Sequence, residues 1–308
     1  MALHRLSSFT LQVPNPQEVI DYYDDFGLSN NGDGSMSTLD GGRQMYVEQA
    51  APGQFRRLST FTIGCDDFDD LGRIAANLRR LDVAFDLNEQ RLITRDPNTS
   101  TEVVVALEDR IEQAPFKGAE YNYPGNLQRV GARASGILED QRVRPRKLGH
   151  IVLGTPNNDD SIKFFTEGIG FKVSDRAGPA AFMRCSQDHH NLLMVPGPVV
   201  YPHHMSWQVD DVDAVGRGAM DMLEGRPERH VWGMGRHYVG SNFFWYLKDP
   251  AGNFSEYYSD MDCIVDDSLW QPESVEGARG MFRWGPPPPP SMFEPEDVAA
   301  HMVGAHSS

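Results

Sequence analysis

The sequence predicts a mixed α+β protein made of four β-α-β-rich units arranged as two halves. Three observations predict it. First, 6-LSSFTLQVPNPQEVIDYYDDFGL-28 is matched by 148-LGHIVLGTPNNDDSIKFFTEGIGF-171. An offset of 142 aligns Leu6 with Leu148, Pro14 with Pro156 and Ile20 with Ile162. It also aligns Tyr22 and Tyr23 with Phe164 and Phe165, and one extra residue then precedes the shared Gly27/Gly170. Second, 63-IGCDDFDDLG-72 is matched by 207-WQVDDVDAVG-216 at an offset of 144. Third, strand signals follow each of these: 91-RLITRDP-97 and 243-FFWYLKDPAGNFSEYYS-259. Self-similarity at a fixed offset marks a modular architecture.

Each element has a local reason. The first pair reads as an apolar strand, a Pro-containing turn and a short helix stopped near glycine. In the second pair a strand gives way to aspartates suited to N-capping, then to an amphipathic helix. Val212, Val215, Ala219 and Met222 fall on one face of that helix. The segment 249-DPAGN-253 has the residues of a hairpin turn. The charged run 136-GILEDQRVRPRK-147 reads as a linker. It separates an N-terminal two-module domain, residues 1–135, from a C-terminal one, residues 146–262. The tail, residues 263–308, contains 286-PPPPP-290 and reads as a stiff surface strap rather than a domain.

Composition narrows the function. The chain has 308 residues, 40% hydrophobic and 23% charged, which suits a folded globular protein. Its formal net charge is −16, which argues against nucleic acid and anionic membranes as partners. The three cysteines Cys65, Cys185 and Cys263 have no CxxC spacing, so reduced thiols and a cytoplasmic setting are expected. The opening segment lacks a signal-peptide core, and no apolar run approaches membrane-spanning length.

The ten histidines are unevenly placed. Seven (His150, His189, His190, His203, His204, His230 and His237) lie between residues 150 and 237, and none lies between residues 5 and 149. Copies of one fold have similar folding needs, so the excess marks a chemical difference. The repeat sets His150 against Ser8 and His204 against Thr60. Glu256 is set, across a one-residue gap, against Glu102. The N-terminal half would then keep a carboxylate at best, and one metal site is expected, in the C-terminal half. Two histidines and a carboxylate on one face form the facial triad of non-haem ferrous oxygenases. Structural histidines on strands are the competing reading for His150 and His204. Glu256 in an aromatic strand would be a costly buried charge without a partner.

These residues carry a family resemblance. Over nearly its whole length the chain resembles a two-domain type I extradiol ring-cleavage dioxygenase of the vicinal oxygen chelate superfamily. The likeness is most specific in 148-LGHIVL-153, 203-HHMSWQVDDVDAVG-216 and 235-GRHYVGSNFFWYLKDPAGNFSEYYS-259. It implies four βαβββ modules forming two barrel-like domains, with a glyoxalase-like fold. It assigns His150, His204 and Glu256 as metal ligands, with Fe(II) as the metal and Mn(II) as the alternative. It implies that His190 takes a proton beside the dioxygen site, and that His237 and Tyr246 hydrogen-bond the substrate's oxygens. The reaction implied is cleavage of a catechol-type ring next to its diol, inserting both atoms of O2. A homo-oligomer is implied too.

Some family members carry an aspartate where this chain has Gly240. His203 is expected to face away from the metal, and His189, His203 and His230 either to stand directly behind the residues of the site or to lie at the surface. Phe182, Met183, Met205, Trp207 and Phe243 are candidates for either pocket lining or plain core. The rivals are a hydroquinone dioxygenase, a glyoxalase-type isomerase and a non-enzymatic ligand-binding resistance protein.

Overall fold

The computed structural model describes residues 3–306. The first half forms an eight-stranded sheet: β1 (Leu3–Val13), β2 (Ser29–Asn30), β3 (Ser35–Thr38), β4 (Gly42–Gln49), β5 (Arg57–Cys65), β6 (Phe85–Leu87), β7 (Arg91–Arg95) and β8 (Glu102–Leu107). The second forms a nine-stranded sheet: β9 (Lys147–Thr155), β10 (Lys172–Ala177), β11 (Ala180–Arg184), β12 (Leu192–Pro196), β13 (Tyr201–Gln208), β14 (His230–Arg236), β15 (Phe243–Lys248), β16 (Phe254–Ser259) and β17 (Ser274–Val275). Strand orders are β2-β3-β4-β1-β5-β8-β7-β6 and β14-β15-β16-β13-β9-β12-β11-β10-β17. Read from opposite ends the two sheets match strand for strand. The second adds β17 at its edge, parallel to β10.

The helices are α1 (Pro16–Asp25), α2 (Phe68–Arg80), α3 (Ser135–Leu138), α4 (Asn158–Lys163), α5 (Val212–Leu223) and α6 (Val298–His306). The paired aspartates cap as expected. Asp67 accepts from the Asp70 amide at the start of α2, and Asp211 accepts from the Ala214 amide at the start of α5. The extra residue before Gly170 has a structural outlet: α4 widens into a π-helical turn over Phe164–Ile169. A π turn absorbs an inserted residue without breaking the helix. Gly27 and Gly170 then end the two copies with φ of 105° and 100°, which disfavours any side chain. At Gly27 a Cβ would also lie 2.2 Å from the Val143 carbonyl oxygen.

The halves share one apolar core. The first helix of each half reaches across. Phe26, just after α1, stacks on Tyr257 of β16 at 3.7 Å, and the Tyr22 hydroxyl meets Ser255 at 2.6 Å. Phe165 stacks on Phe61 of β5 at 5.6 Å. Aromatic contacts of this kind add about 0.5–1.5 kcal/mol each beyond their area burial.

The linker is longer and less free than its charge suggests. No sheet strand occurs between Leu107 and Lys147. Val143 is buried in the core, and Arg146 pairs with Asp40 at 2.7 Å. The tail is a strap that packs along the second sheet. It supplies β17, and Pro286 accepts a hydrogen bond from the Trp232 indole at 2.7 Å. Buried Arg56 of the first half bonds Asp297 of the tail at 2.6 Å and Asn253 at 2.8 Å. Among the described residues, no helix is long and apolar enough to cross a membrane.

Candidate metal centre

Three adjacent strands bring His150, His204 and Glu256 together. In the order β16-β13-β9, Ser206 lies opposite Glu256 on one side and opposite His150 on the other. His204 sits two residues before Ser206, so strand alternation puts its side chain on the same face. The His150 Nε2 is 3.2 Å from the His204 Nε2 and 3.1 Å from the Glu256 Oε2, and the third edge is 3.6 Å. Metal–nitrogen bonds of about 2.1 Å at right angles separate their donors by roughly 3 Å. All three residues are buried. The Glu256 Oε2 has no hydrogen-bond donor, although it points at two imidazole nitrogens. A buried carboxylate oxygen left so is costly, and a divalent cation between the three donors would satisfy it.

The other expected residues continue the row. His190, just before β12, lies face-near to His150, with ring centroids 4.2 Å apart. Tyr246 of β15 is directly opposite Glu256. His237, just after β14, has its Nε2 2.9 Å from the Tyr246 hydroxyl and 3.7 Å from the Glu256 Oε1. Across the sheet the sequence is therefore His237, Tyr246, Glu256, His204, His150, His190.

Each double histidine divides into an inner and an outer ring. His203 faces away from the metal face, as expected, and is buried behind His204. Its Nε2 is 2.7 Å from the Met292 carbonyl and its Nδ1 is 2.7 Å from the His204 Nδ1. A carbonyl only accepts, so the neutral His203 ring carries its proton on Nε2. His203 Nδ1 then accepts from His204 Nδ1–H, and the His204 Nε2 keeps its lone pair for a metal. His189 is also fully buried, behind His190. His230 lies apart, accepting from the Trp245 indole at 3.0 Å.

Burial lowers the His190 and His204 pKa well below the ordinary histidine value, and neighbouring imidazoles add to it. Burial likewise lowers His203 to about 4, against the opposing pull of the Met292 carbonyl. Neutral imidazole is the form that ligates metals. For Glu256, burial pushes the carboxyl up. His150 and His237 pull it down further, and the net is well below the usual carboxylate range. Burial, then Glu256, raise the Tyr246 hydroxyl well above 10, so it remains a donor.

One expectation needs correction. Strand register sets Glu256 against Val104, not Glu102. Glu256 lies opposite Ser206, and the residue opposite the matching Thr62 is Val104. Glu102 pairs across from Arg95 as Phe254 pairs across from Lys248. The turn before β8 is one residue longer than the turn before β16, so matching by residue type slips the register. Glu102 instead forms an outer ion pair with Arg95 at 3.3 Å. The N-terminal half thus has none of the three candidate donors at the register-matched positions Ser8, Thr60 and Val104. Of the pocket candidates, Phe182 stands edge-on to His190 at 5.1 Å. Met183, Met205 and Trp207 belong to the shared core, and Phe243 packs on Trp284 of the tail.

Sequence reasoning missed several participants. Buried Asn242 donates to the Glu256 Oε1 at 3.2 Å. Its place at the head of an aromatic strand was the only signal for it. The Met281 carbonyl accepts from the His237 Nδ1. It lies 44 residues downstream, beyond the reach of any local pattern. Gly240 is where a side chain would press on His190: a Cβ would lie 3.2 Å from its Cε1 and 3.3 Å from the His189 Nδ1. A cleft of about 870 Å³ near Arg110, Lys147 and Met261 contains none of the site residues. Convergence of donors, rather than cavity size, locates the centre.

Residues 147–257 match the Glyoxalase/Bleomycin resistance protein/Dioxygenase superfamily. That range begins at β9 and reaches through all three triad residues. The chain is 28% identical to metapyrocatechase 2 of Cupriavidus necator over 303 residues, covering 94% of this chain and 91% of that protein. Its fold is shared by the Mn(II)-bound glyoxalase from Novosphingobium aromaticivorans, with a TM-score of 0.73, 24% identity and coverage of 94% and 93%. It is shared too by homoprotocatechuate 2,3-dioxygenase from Arthrobacter globiformis, with a TM-score of 0.72, 17% identity and coverage of 95% and 91%. Residues 147–257 thus carry a Glyoxalase/Bleomycin resistance protein/Dioxygenase superfamily domain, and over nearly its whole length the chain is similar to a metapyrocatechase.

Proposed function

We propose that the protein cleaves the aromatic ring of a catechol-type substrate next to its vicinal diol, inserting both atoms of O2. His150, His204 and Glu256 hold Fe(II) in this reading. The observation that carries it is the triangle of buried donors, all within 4.8 Å of one another, flanked in strand order by three further polar site residues. Two neutral imidazoles and a carboxylate form a triad with open positions, the donor set of non-haem Fe(II) oxygenases. A metal held there would supply adjacent positions for both substrate oxygens and for O2, and the one-electron chemistry that joins them.

The chain's own residues do the rest. His190 takes the proton that a substrate hydroxyl releases on binding. A neutral imidazole held by burial is suited to that step. Neutral His237, with its proton on Nδ1, accepts at Nε2 from the Tyr246 hydroxyl, which leaves the Tyr246 oxygen to accept a hydrogen bond from a substrate hydroxyl. Trp232, Phe244 and Phe254 pack with Tyr246 and Met292 into an apolar wall that excludes water from this side. Cys65, Cys185 and Cys263 are all free, in keeping with a reduced, cytoplasmic setting. We extend the reading to a homo-oligomer.

The test is anaerobic loading with Fe(II), then a panel of monocyclic, biaryl and fused catechols in air. A yellow ring-fission product with equimolar O2 uptake is expected. Parallel loading with Mn(II) identifies the working metal. A second reading, glyoxalase-type isomerisation, follows from the likeness to the Mn(II)-bound glyoxalase. Turnover of a hemithioacetal without O2 uptake would favour it and overturn the first.

A further inference from the structure

The pair His189–His190 is built as a directional array. His189 is fully buried. Its Nε2 is 2.9 Å from the Asp175 Oδ2 and its Nδ1 is 3.0 Å from the His190 Nδ1. The other oxygen of Asp175 accepts from the Glu273 backbone amide at 2.6 Å. Trp270 stands edge-on to the His189 ring at 5.3 Å. The His189 main chain is tied at both ends, its amide to the Asp262 carbonyl at 2.9 Å and its carbonyl to the Ser174 hydroxyl at 2.6 Å. Asp175 lies on β10, and Glu273 and Trp270 belong to the tail that docks there through β17.

We propose that Asp175 and His189 are positioning residues that fix the tautomer of His190, leaving its Nε2 free to accept a proton. A carboxylate only accepts, so the neutral His189 ring carries its proton on Nε2. Its Nδ1 must then accept, and His190 must donate from Nδ1. The free lone pair of His190 is left on Nε2, the nitrogen not engaged by His189. His203 and the Met292 carbonyl act in the same way on His204, so one construction serves both double histidines. The inference rests on the role given to His190 above.

The array has a directional test. In Asp175→Asn, the Glu273 amide still requires an acceptor, so the side-chain oxygen stays with it and the NH2 turns toward His189. His189 must then accept at Nε2 and donate from Nδ1, and His190 must carry its proton on Nε2. ¹⁵N-histidine NMR of the full-length metal-free protein reads this directly as an exchange of the pyrrole-type and pyridine-type nitrogens of His190. With Fe(II) loaded, kcat is expected to fall about 100-fold or more while KM and metal content stay near those of the unmodified protein. His189→Phe fits the same aromatic surroundings and leaves His190 free to take either tautomer. Its expected loss is about tenfold, and it keeps the test open if Asp175→Asn does not fold. An unchanged His190 tautomer in Asp175→Asn would overturn the array. A reversed tautomer with full turnover would instead overturn the proton-accepting role of His190. Restored kcat in Asp175→Glu supports positioning through the carboxylate.

Discussion

The two halves share strand order, paired strand register, capping aspartates Asp67 and Asp211, and first helices ended by Gly27 and Gly170. They differ at three register-matched positions: Ser8, Thr60 and Val104 in one, and His150, His204 and Glu256 in the other. They differ also at the sheet edge, since β17 pairs only with the second sheet. The comparison separates two kinds of information. Shared residues specify the scaffold, and differing residues specify the chemistry placed on it.

The largest expected effect breaks that difference at its centre. His204→Ala removes a ligand and should lower metal affinity by well over about 100-fold, measured by equilibrium dialysis with metal analysis. The register-matched Thr60→Ala should leave affinity unchanged. His190→Asn should lower kcat by about 10²–10⁴-fold with the metal still bound, measured by O2 uptake and metal content together. Loss of metal in that variant would place His190 among the ligands instead.

The fold was legible because its signals are short-range and repeated. An apolar strand, a capping aspartate and a helix-ending glycine each lie within a few residues, and each occurs twice. The inserted residue before Gly170 was visible, but its resolution as a π turn was not. The histidines of the proposed metal site were legible because the other half lacks them. The carboxylate's match was misread because the turns before β8 and β16 differ by one residue, and Glu102 lies two residues from the register-matched Val104 on the same face of β8, so alternation alone did not separate them. The orienting shell was not legible at all. Asp175, Met281 and Met292 reach the site's histidines through contacts 14 to 89 residues apart in the chain, with no local motif.

The acid response sharpens the comparison next. Among the described residues, the buried imidazoles held well below their ordinary pKa (His190, His203 and His204) lie in the C-terminal half. Each is neutral when folded and charges more readily when unfolded. The stability they contribute is present above pH 6.5 and is lost as pH falls toward their folded values. For His203, lowered to about 4, that window runs from about 6.5 to 4 and is worth roughly 3 kcal/mol. Denaturant unfolding of the metal-free protein across this range should show the loss, and His203→Phe should reduce it. Smaller still is the effect of His203→Phe on the metal. It leaves the His204 Nδ1–H without its acceptor and should weaken binding by about 10–100-fold.

The central claim is that one metal binds per chain, in the C-terminal half alone. Equilibrium dialysis of Fe(II), run anaerobically on the unmodified protein, Glu256→Gln and Glu102→Gln, tests it most directly. One metal per chain is expected in the unmodified protein and in Glu102→Gln, and a loss of stoichiometric binding in Glu256→Gln. Two metals per chain, or retention in Glu256→Gln with loss in Glu102→Gln, would contradict it.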